Sequence, residues 1–289
     1  MQRLTTTAAT ALALLMLLTA HGTSTAQADS GLTTFTSRYY KVHTTLGRRA
    51  VKPYAHHMDL IFAHYRRRFR NFEPRNNEPQ PLYLFNTRRQ YVKFMAKHGI
   101  QAKNSGGMFF IKRNVRGLAT FVEGRPKKRV FTVLQHEGFH QFAWNFIGPN
   151  ISQWVNEGLA QYFEDATIQG ENIALGRPDR KRIKVLQWAA ENDRLIPVKK
   201  MITISDNEWN AKLNANPRQA RVMYAQAWSM VYFLIHGDNG KYQEAFRKYL
   251  HLLADGKSQD QAAEASFGTE DLSAMRRRWM AFIKRRWFN

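Results

Sequence analysis

His136 and His140 stand i and i+4 in the stretch HEGFH. On a helix that spacing puts two imidazoles one turn apart on the same face, where both can bind one ion. Glu137 lies between them and points elsewhere, which leaves its carboxylate free to act on water beside a metal rather than on the metal. This is the arrangement of a zinc hydrolase. A catalytic zinc wants three protein ligands and one open position, so a third donor has to come from another element. The chain has no cysteine, so such a site can be built only from His, Asp and Glu.

Local architecture points to Glu157 as that donor. Phe142, Ala143, Phe146 and Ile147 continue the helix after His140, and Gly148, Pro149 and Asn150 break it. Trp154, Val155, Leu159, Ala160, Tyr162 and Phe163 then recur at helical spacing. A short loop between two helices favours antiparallel neighbours, and Glu157 on the second helix would face back onto the two histidines.

HEGFH followed by WVNEGLAQYFE resembles the gluzincin group of zinc metallopeptidases, and more closely exported bacterial members of the peptidase-MA-like superfamily, some of unknown function. The resemblance covers the two metal helices and, more loosely, Ile111 to Leu234. It implies that one zinc ion is held by His136, His140 and Glu157, with Glu137 as general base. It also implies an oxyanion donor from the distal half of the chain: Tyr224, in a YxxAW-like segment, matches that role, with His236 as the competing donor. In better-studied gluzincins an acidic residue about one turn after the third ligand orients a ligand histidine. Gln161 and Tyr162 stand there in this chain, so Glu164 or Asp165 is the candidate substitute. The resemblance further implies an α+β gluzincin-like fold with a small mixed sheet, flanking helices, the HExxH helix and third-ligand helix, and a mostly helical C-terminal lobe. It makes Gly117 to Phe121 the substrate-facing strand edge, and a peptide or protein the substrate. Two readings from other classes stand beside it. One is a non-hydrolytic zinc-containing module that binds anionic cell-surface polymers, and the other a hydrolase of a non-protein amide such as a peptidoglycan cross-link.

The elements that would carry these residues are legible to different degrees. Thr33 to Leu46 reads as one strand, Arg48 to Phe69 as an amphipathic helix, and Leu82 to Thr87 as a second strand. Arg88 to His98 is a short helix, and MFFIKR and LATFVE form a hairpin turning at Arg116-Gly117. Pro126 suits the first turn of the metal helix, but Lys127, Lys128 and Arg129 oppose the helix dipole and predict a start a few residues later. His56, His57 and His64 read as helix-face residues rather than ligands. Beyond the metal helices, Asn172 to Leu195 contains a basic helix, and Pro197 to Asn210 is a loop with a short helix that would cover the cleft. Arg221 to His236 is a buried helix, and two further helices span Tyr242 to Leu253 and Asp271 to Trp287.

Residues 1–28 read as a secretory signal peptide: Arg3 is their only charge, Ala8 to Ala20 are apolar, and Ala26-Gln27-Ala28 suits cleavage. The expected address is secreted or periplasmic, with no transmembrane span in the mature chain; the rival reading of the same segment is an uncleaved N-terminal anchor. The domains expected after it are an α+β lobe over 29–170, including both metal helices, and a helical lobe over 171–289. Of the 289 residues, 44 are Lys or Arg and 22 Asp or Glu, a formal net charge of +22. A protein this basic is drawn to polyanions, and an exported one meets acidic glycans and lipid headgroups. Nothing in the sequence resembles a nucleic-acid-binding motif, so no specific nucleic-acid partner is expected.

Overall fold

The computed structural model describes residues 31–284, apart from 113–114, 171, 176–178 and 269–270. The expected signal peptide and the basic end of the last helix, Arg285 to Trp287, lie outside the described residues. The chain divides into residues 1–32 and a compact unit from Thr33 to Asn289, to which every element below belongs.

The unit is mixed α+β. Its first segment is a hairpin rather than the single expected strand: β1 (Thr33–Thr36) turns into β2 (Tyr40–Thr44), and the two pair antiparallel. The turn is bought by Asp59, whose carboxylate accepts from the Ser37 hydroxyl and from the amides of Arg38 and Tyr39. Asp59 belongs to α1 (Arg48–Arg68), which leads to β3 (Gln80–Phe85). Thr87 then opens α2 (Arg88–Lys97) with a reciprocal capping box to Gln90. The next hairpin is β4 (Gly107–Lys112) and β5 (Val115–Phe121). Arg116 and Gly117 sit inside β5 rather than at the turn, because Gly117 lies against the Tyr83 ring, where a Cβ would come within 2.7 Å. The five strands run in the order β1-β2-β3-β5-β4. The inner three are parallel, and both edge strands are antiparallel to their neighbours.

α3 (Lys127–Phe146) crosses this sheet and is buried on most sides. It begins directly after Pro126, without the expected delay. The dipole penalty of three cations is about 0.3–1 kcal/mol each, and burial of Val130 with the stacking of Phe131 on His57 at 3.8 Å outweighs it. α4 (Gln153–Glu164) follows the break at Gly148. An aromatic cluster of Phe62, Tyr65, Phe69, Phe139, Phe142 and Phe163 locks α1, α3 and α4 together, with ring centroids 4.9–6.2 Å apart. Such pairs add about 0.5–1.5 kcal/mol each beyond their burial. Buried amides on α3 clamp its neighbours: Gln135 donates to the Phe163 and Ala166 carbonyls at the end of α4, and Gln141 donates to Pro81.

A small hairpin that the sequence did not suggest, β6 (Thr167–Gln169) and β7 (Asn172–Ala174), precedes α5 (Arg180–Glu191). The remainder is helical: α6 (Val198–Ile202), α7 (Asp206–Ala215), α8 (Pro217–His236), α9 (Gln243–Ala254), α10 (Gln259–Phe267) and α11 (Leu272–Lys284). α8 is the central helix of this set and packs closely on α4. A Cβ on Gly158 would lie 2.6 Å from the Ala227 carbonyl oxygen, so the absence of a side chain there sets the approach. Among the described residues no helix is long and apolar enough to cross a membrane.

Candidate metal centre

α3 and α4 bring His136, His140 and Glu157 together. Each offers one ligand atom, and all three atoms lie within 4.8 Å of one another. The two Nε2 atoms are 3.1 Å apart, and Glu157 Oε2 is 3.5 Å from one and 3.8 Å from the other. The outer nitrogens are already engaged. His136 Nδ1 donates to Glu164 Oε2 across 2.6 Å, and His140 Nδ1 donates to Asn156 Oδ1 across 2.9 Å. These bonds fix the tautomer that leaves both Nε2 lone pairs facing the same point. Glu157 Oε2 is buried there without a hydrogen-bond partner. Two imidazole lone pairs and an unsatisfied carboxylate oxygen in one partly buried spot repel unless a cation sits among them. The group can therefore hold a metal ion.

Electrostatics agree with that reading. Burial opposes a charge on His136, yet the carboxylates of Glu157, Glu164 and Glu137 override it and hold the imidazole protonated well above its ordinary range. Burial likewise opposes the charge on Glu157, and the neighbouring histidines pull its carboxyl below the usual value.

Of the two expected orienting residues, Glu164 takes the role. Its second oxygen is held by Arg182 of α5, which also grips Asp165. Asn156 was not singled out in the sequence, although its place one residue before Glu157, on a helix facing α3, is a signal that could have found it.

Glu137 lines the same cleft without belonging to the ligand group, and its Oε2 accepts from the Phe109 amide of β4 at 2.8 Å. β4 reaches α3 because position 107 is glycine: a Cβ there would fall 2.5 Å from Val133 and 3.2 Å from Thr120. The expected strand edge is corrected here. Gly117 to Phe121 belong to β5, which is enclosed between β3 and β4, and it is Gly107, Met108 and Phe109 of β4 that wall the cleft.

The cleft itself is an open cavity of about 460 Å³ shared by β4, the three ligand residues, Glu137, Gln161, Glu164 and Tyr224. Tyr224 rides on the first half of α8, edge-on to Trp209 at 6.0 Å, with its carbonyl accepting from Gln161. Burial, and then the charges of Glu157 and Glu137, push its phenol well above the ordinary tyrosine range, so it remains a donor. His236, at the other end of α8, shares a 2.8 Å hydrogen bond with the Tyr162 hydroxyl and does not line the cleft. Nor does any residue of Pro197 to Asn210, the expected cover; Trp209 of that segment acts from behind Tyr224. His56, His57 and His64 lie on α1, outside this group.

A family model described as a protein of unknown function (DUF1570) matches residues 130–257. The matched segment holds His136, Glu137, His140, Glu157 and Tyr224, whereas β4 precedes it. No curated protein matches the chain.

Proposed function

We propose that the chain is an exported zinc-dependent metallopeptidase of the gluzincin type, secreted or periplasmic, that hydrolyses peptide bonds. The observation that carries this reading is the convergence of two oriented Nε2 atoms and an unsatisfied Glu157 oxygen, beside a carboxylate that does not take part in the cluster. Three His and Glu ligands with room for a fourth position suit zinc in a catalytic setting. Zinc held by His136, His140 and Glu157 would supply a Lewis acid that makes water nucleophilic near neutral pH and polarises a carbonyl.

The chain's own residues perform the rest. Glu137, anchored through one oxygen by the Phe109 amide, takes a proton from the attacking water and returns it to the leaving amine. Tyr224 donates a hydrogen bond to the substrate oxygen on which negative charge develops. The edge of β4 offers backbone groups with which an extended peptide can pair. In this reading the lobe over 29–170 supplies the metal site and the base, and the helical lobe over 171–289 supplies the oxyanion donor.

Elemental analysis of the wild type beside Glu137→Gln, followed by assay of both on a mixed peptide library, tests the proposal. One zinc in each with cleavage by the wild type alone supports it. Zinc in both without cleavage favours a non-hydrolytic zinc module or an amide outside proteins, such as a peptidoglycan cross-link. No stoichiometric metal in either protein overturns it.

A further inference from the structure

The two faces of α4 look into different cavities. Glu157, Gln161 and Glu164 line the metal cleft, whereas Leu159 and Phe163 line a second cavity of about 310 Å³. Leu159 stands two positions past Glu157, which on a helix is a rotation of about 200°, so the second cavity opens on the side of α4 turned away from the metal.

Its floor is apolar, with Phe69, Phe72, Phe246 and Leu250 beside the α4 residues, and its rim is cationic. Arg67, Arg68 and Arg70 come from the end of α1 and the turn after it, and Arg247 comes from α9. All four are exposed. No Asp or Glu lines the cavity, and among the described residues the ion pairs of this protein fall elsewhere. Arg67 donates to His64 Nδ1, which leaves Arg68, Arg70 and Arg247 facing solvent. Helix-dipole compensation accounts for cations in the last turn of α1. It does not account for Arg70, beyond the helix, or Arg247, in the middle of another one.

The positive potential is felt by neighbouring groups. Burial, with Arg67 and Arg68, brings the His64 imidazole down to about 4, and burial with Arg68 also lowers His236. Uncompensated guanidinium groups that converge on one cavity of about 310 Å³ fit a compact anionic group such as a phosphate. An anionic glycan spreads its charges along a chain, whereas the four arginines line one small cavity. A nucleic acid would need exposed ring faces on which to stack, and here Phe69, Phe163 and Phe246 are buried, while Phe72 is already covered by His251 at 4.1 Å.

We propose that this groove between α1, α4 and α9 docks the protein on a membrane by taking the phosphodiester headgroup of an anionic phospholipid. The arginines hold the phosphate through charge-assisted hydrogen bonds. Asn71 and Gln243, also at the groove, offer polar groups to headgroup hydroxyls. The inference stands independently of the chemistry at the metal centre.

Cosedimentation of the full chain with phosphatidylcholine vesicles, with and without phosphatidylglycerol, tests it. Three proteins are compared: wild type, Arg70→Ala/Arg247→Ala, and the charge-matched Arg48→Ala/Arg49→Ala at the opposite end of α1, with equal melting temperatures confirming that all are folded. Each basic residue at an anionic surface contributes about fivefold to binding, so the groove variant should bind phosphatidylglycerol vesicles about thirtyfold more weakly. The Arg48/Arg49 variant should bind like wild type. Equal weakening in both variants would mean attraction by net charge alone and overturn the groove. Unchanged vesicle binding by the groove variant, with glycerol phosphate bound by the wild type alone, would assign the groove to a soluble phosphate ester and overturn the membrane assignment.

Discussion

His136 donates from Nδ1 to Glu164 across 2.6 Å, and the far oxygen of the same carboxylate is pinned by Arg182. A chain of contacts thus runs from α5 through α4 to a ligand nitrogen on α3. Partners of this kind typically govern metal affinity by 10–100-fold, roughly, without touching the ion. Glu164→Gln should therefore keep the fold while losing about that much zinc affinity, measured by competition with a chromophoric chelator. Unchanged affinity would show that the contact does not orient the ligand.

Glu137 touches the Phe109 amide and stands outside the ligand cluster. Glu137→Gln should retain stoichiometric zinc and lose about 10²–10⁴-fold in turnover, the usual contribution of a general base. His140→Ala should lose both metal and activity. Full metal content in that variant would remove His140 from the ligand set.

Tyr224→Phe separates the phenol's chemistry from its packing. Removal of one donor to a developing oxyanion costs about 10²–10³ in kcat, and KM and zinc content should stay near wild type. A variant that instead loses zinc with unchanged kcat per bound metal would assign Tyr224 a structural role.

Gly158 lets α8 approach α4, and a Cβ there would meet the Ala227 oxygen at 2.6 Å and Val231 at 2.7 Å. Gly158→Val should destabilise by about 1–3 kcal/mol, as overpacking does. Turnover should fall further than zinc occupancy, because the substitution displaces the helix carrying Tyr224 and leaves the ligands in place. Parallel denaturation and activity measurements would expose an equal loss of both, contrary to this view.

His57 is buried against Phe131, and burial brings its imidazole from 6.5 to about 4. Unfolding releases it to its ordinary value, so between pH 6.5 and about 4 the unfolded chain binds the extra proton. This contribution to stability is complete above pH 6.5 and is lost as pH falls toward 4, about 3 kcal/mol in all. Urea midpoints across that range should drop for the wild type and drop less for His57→Leu. Identical acid limbs would place the titration elsewhere.

The grouping of His136, His140 and Glu157 was legible because its geometry is local. An i, i+4 pair fixes a helix face, and a short break before the next amphipathic run turns Glu157 back toward it. The wall of the cleft was not legible. Whether β4 or β5 forms the sheet edge depends on which of them pairs with β3, and that pairing joins residues far apart in sequence. The same holds for the grip of Glu137 by Phe109 and of Glu164 by Arg182. The β1 turn was hidden for a related reason: its amides are satisfied by Asp59, a residue in the following helix.

The three residues that could hold a metal ion all lie within one helical hairpin, α3 and α4, whereas Tyr224 and the Phe109 amide reach the site from elements after and before it in sequence. Closing that hairpin costs little loop entropy compared with docking α8 or the sheet edge. Partial unfolding should therefore peel away Tyr224 and the Phe109 anchor of Glu137 before it disperses His136, His140 and Glu157. For the proposed zinc enzyme, metal retention and catalytic competence would then report on different cooperative units of the same molecule, and a heated or truncated protein that kept its metal would not thereby keep its activity.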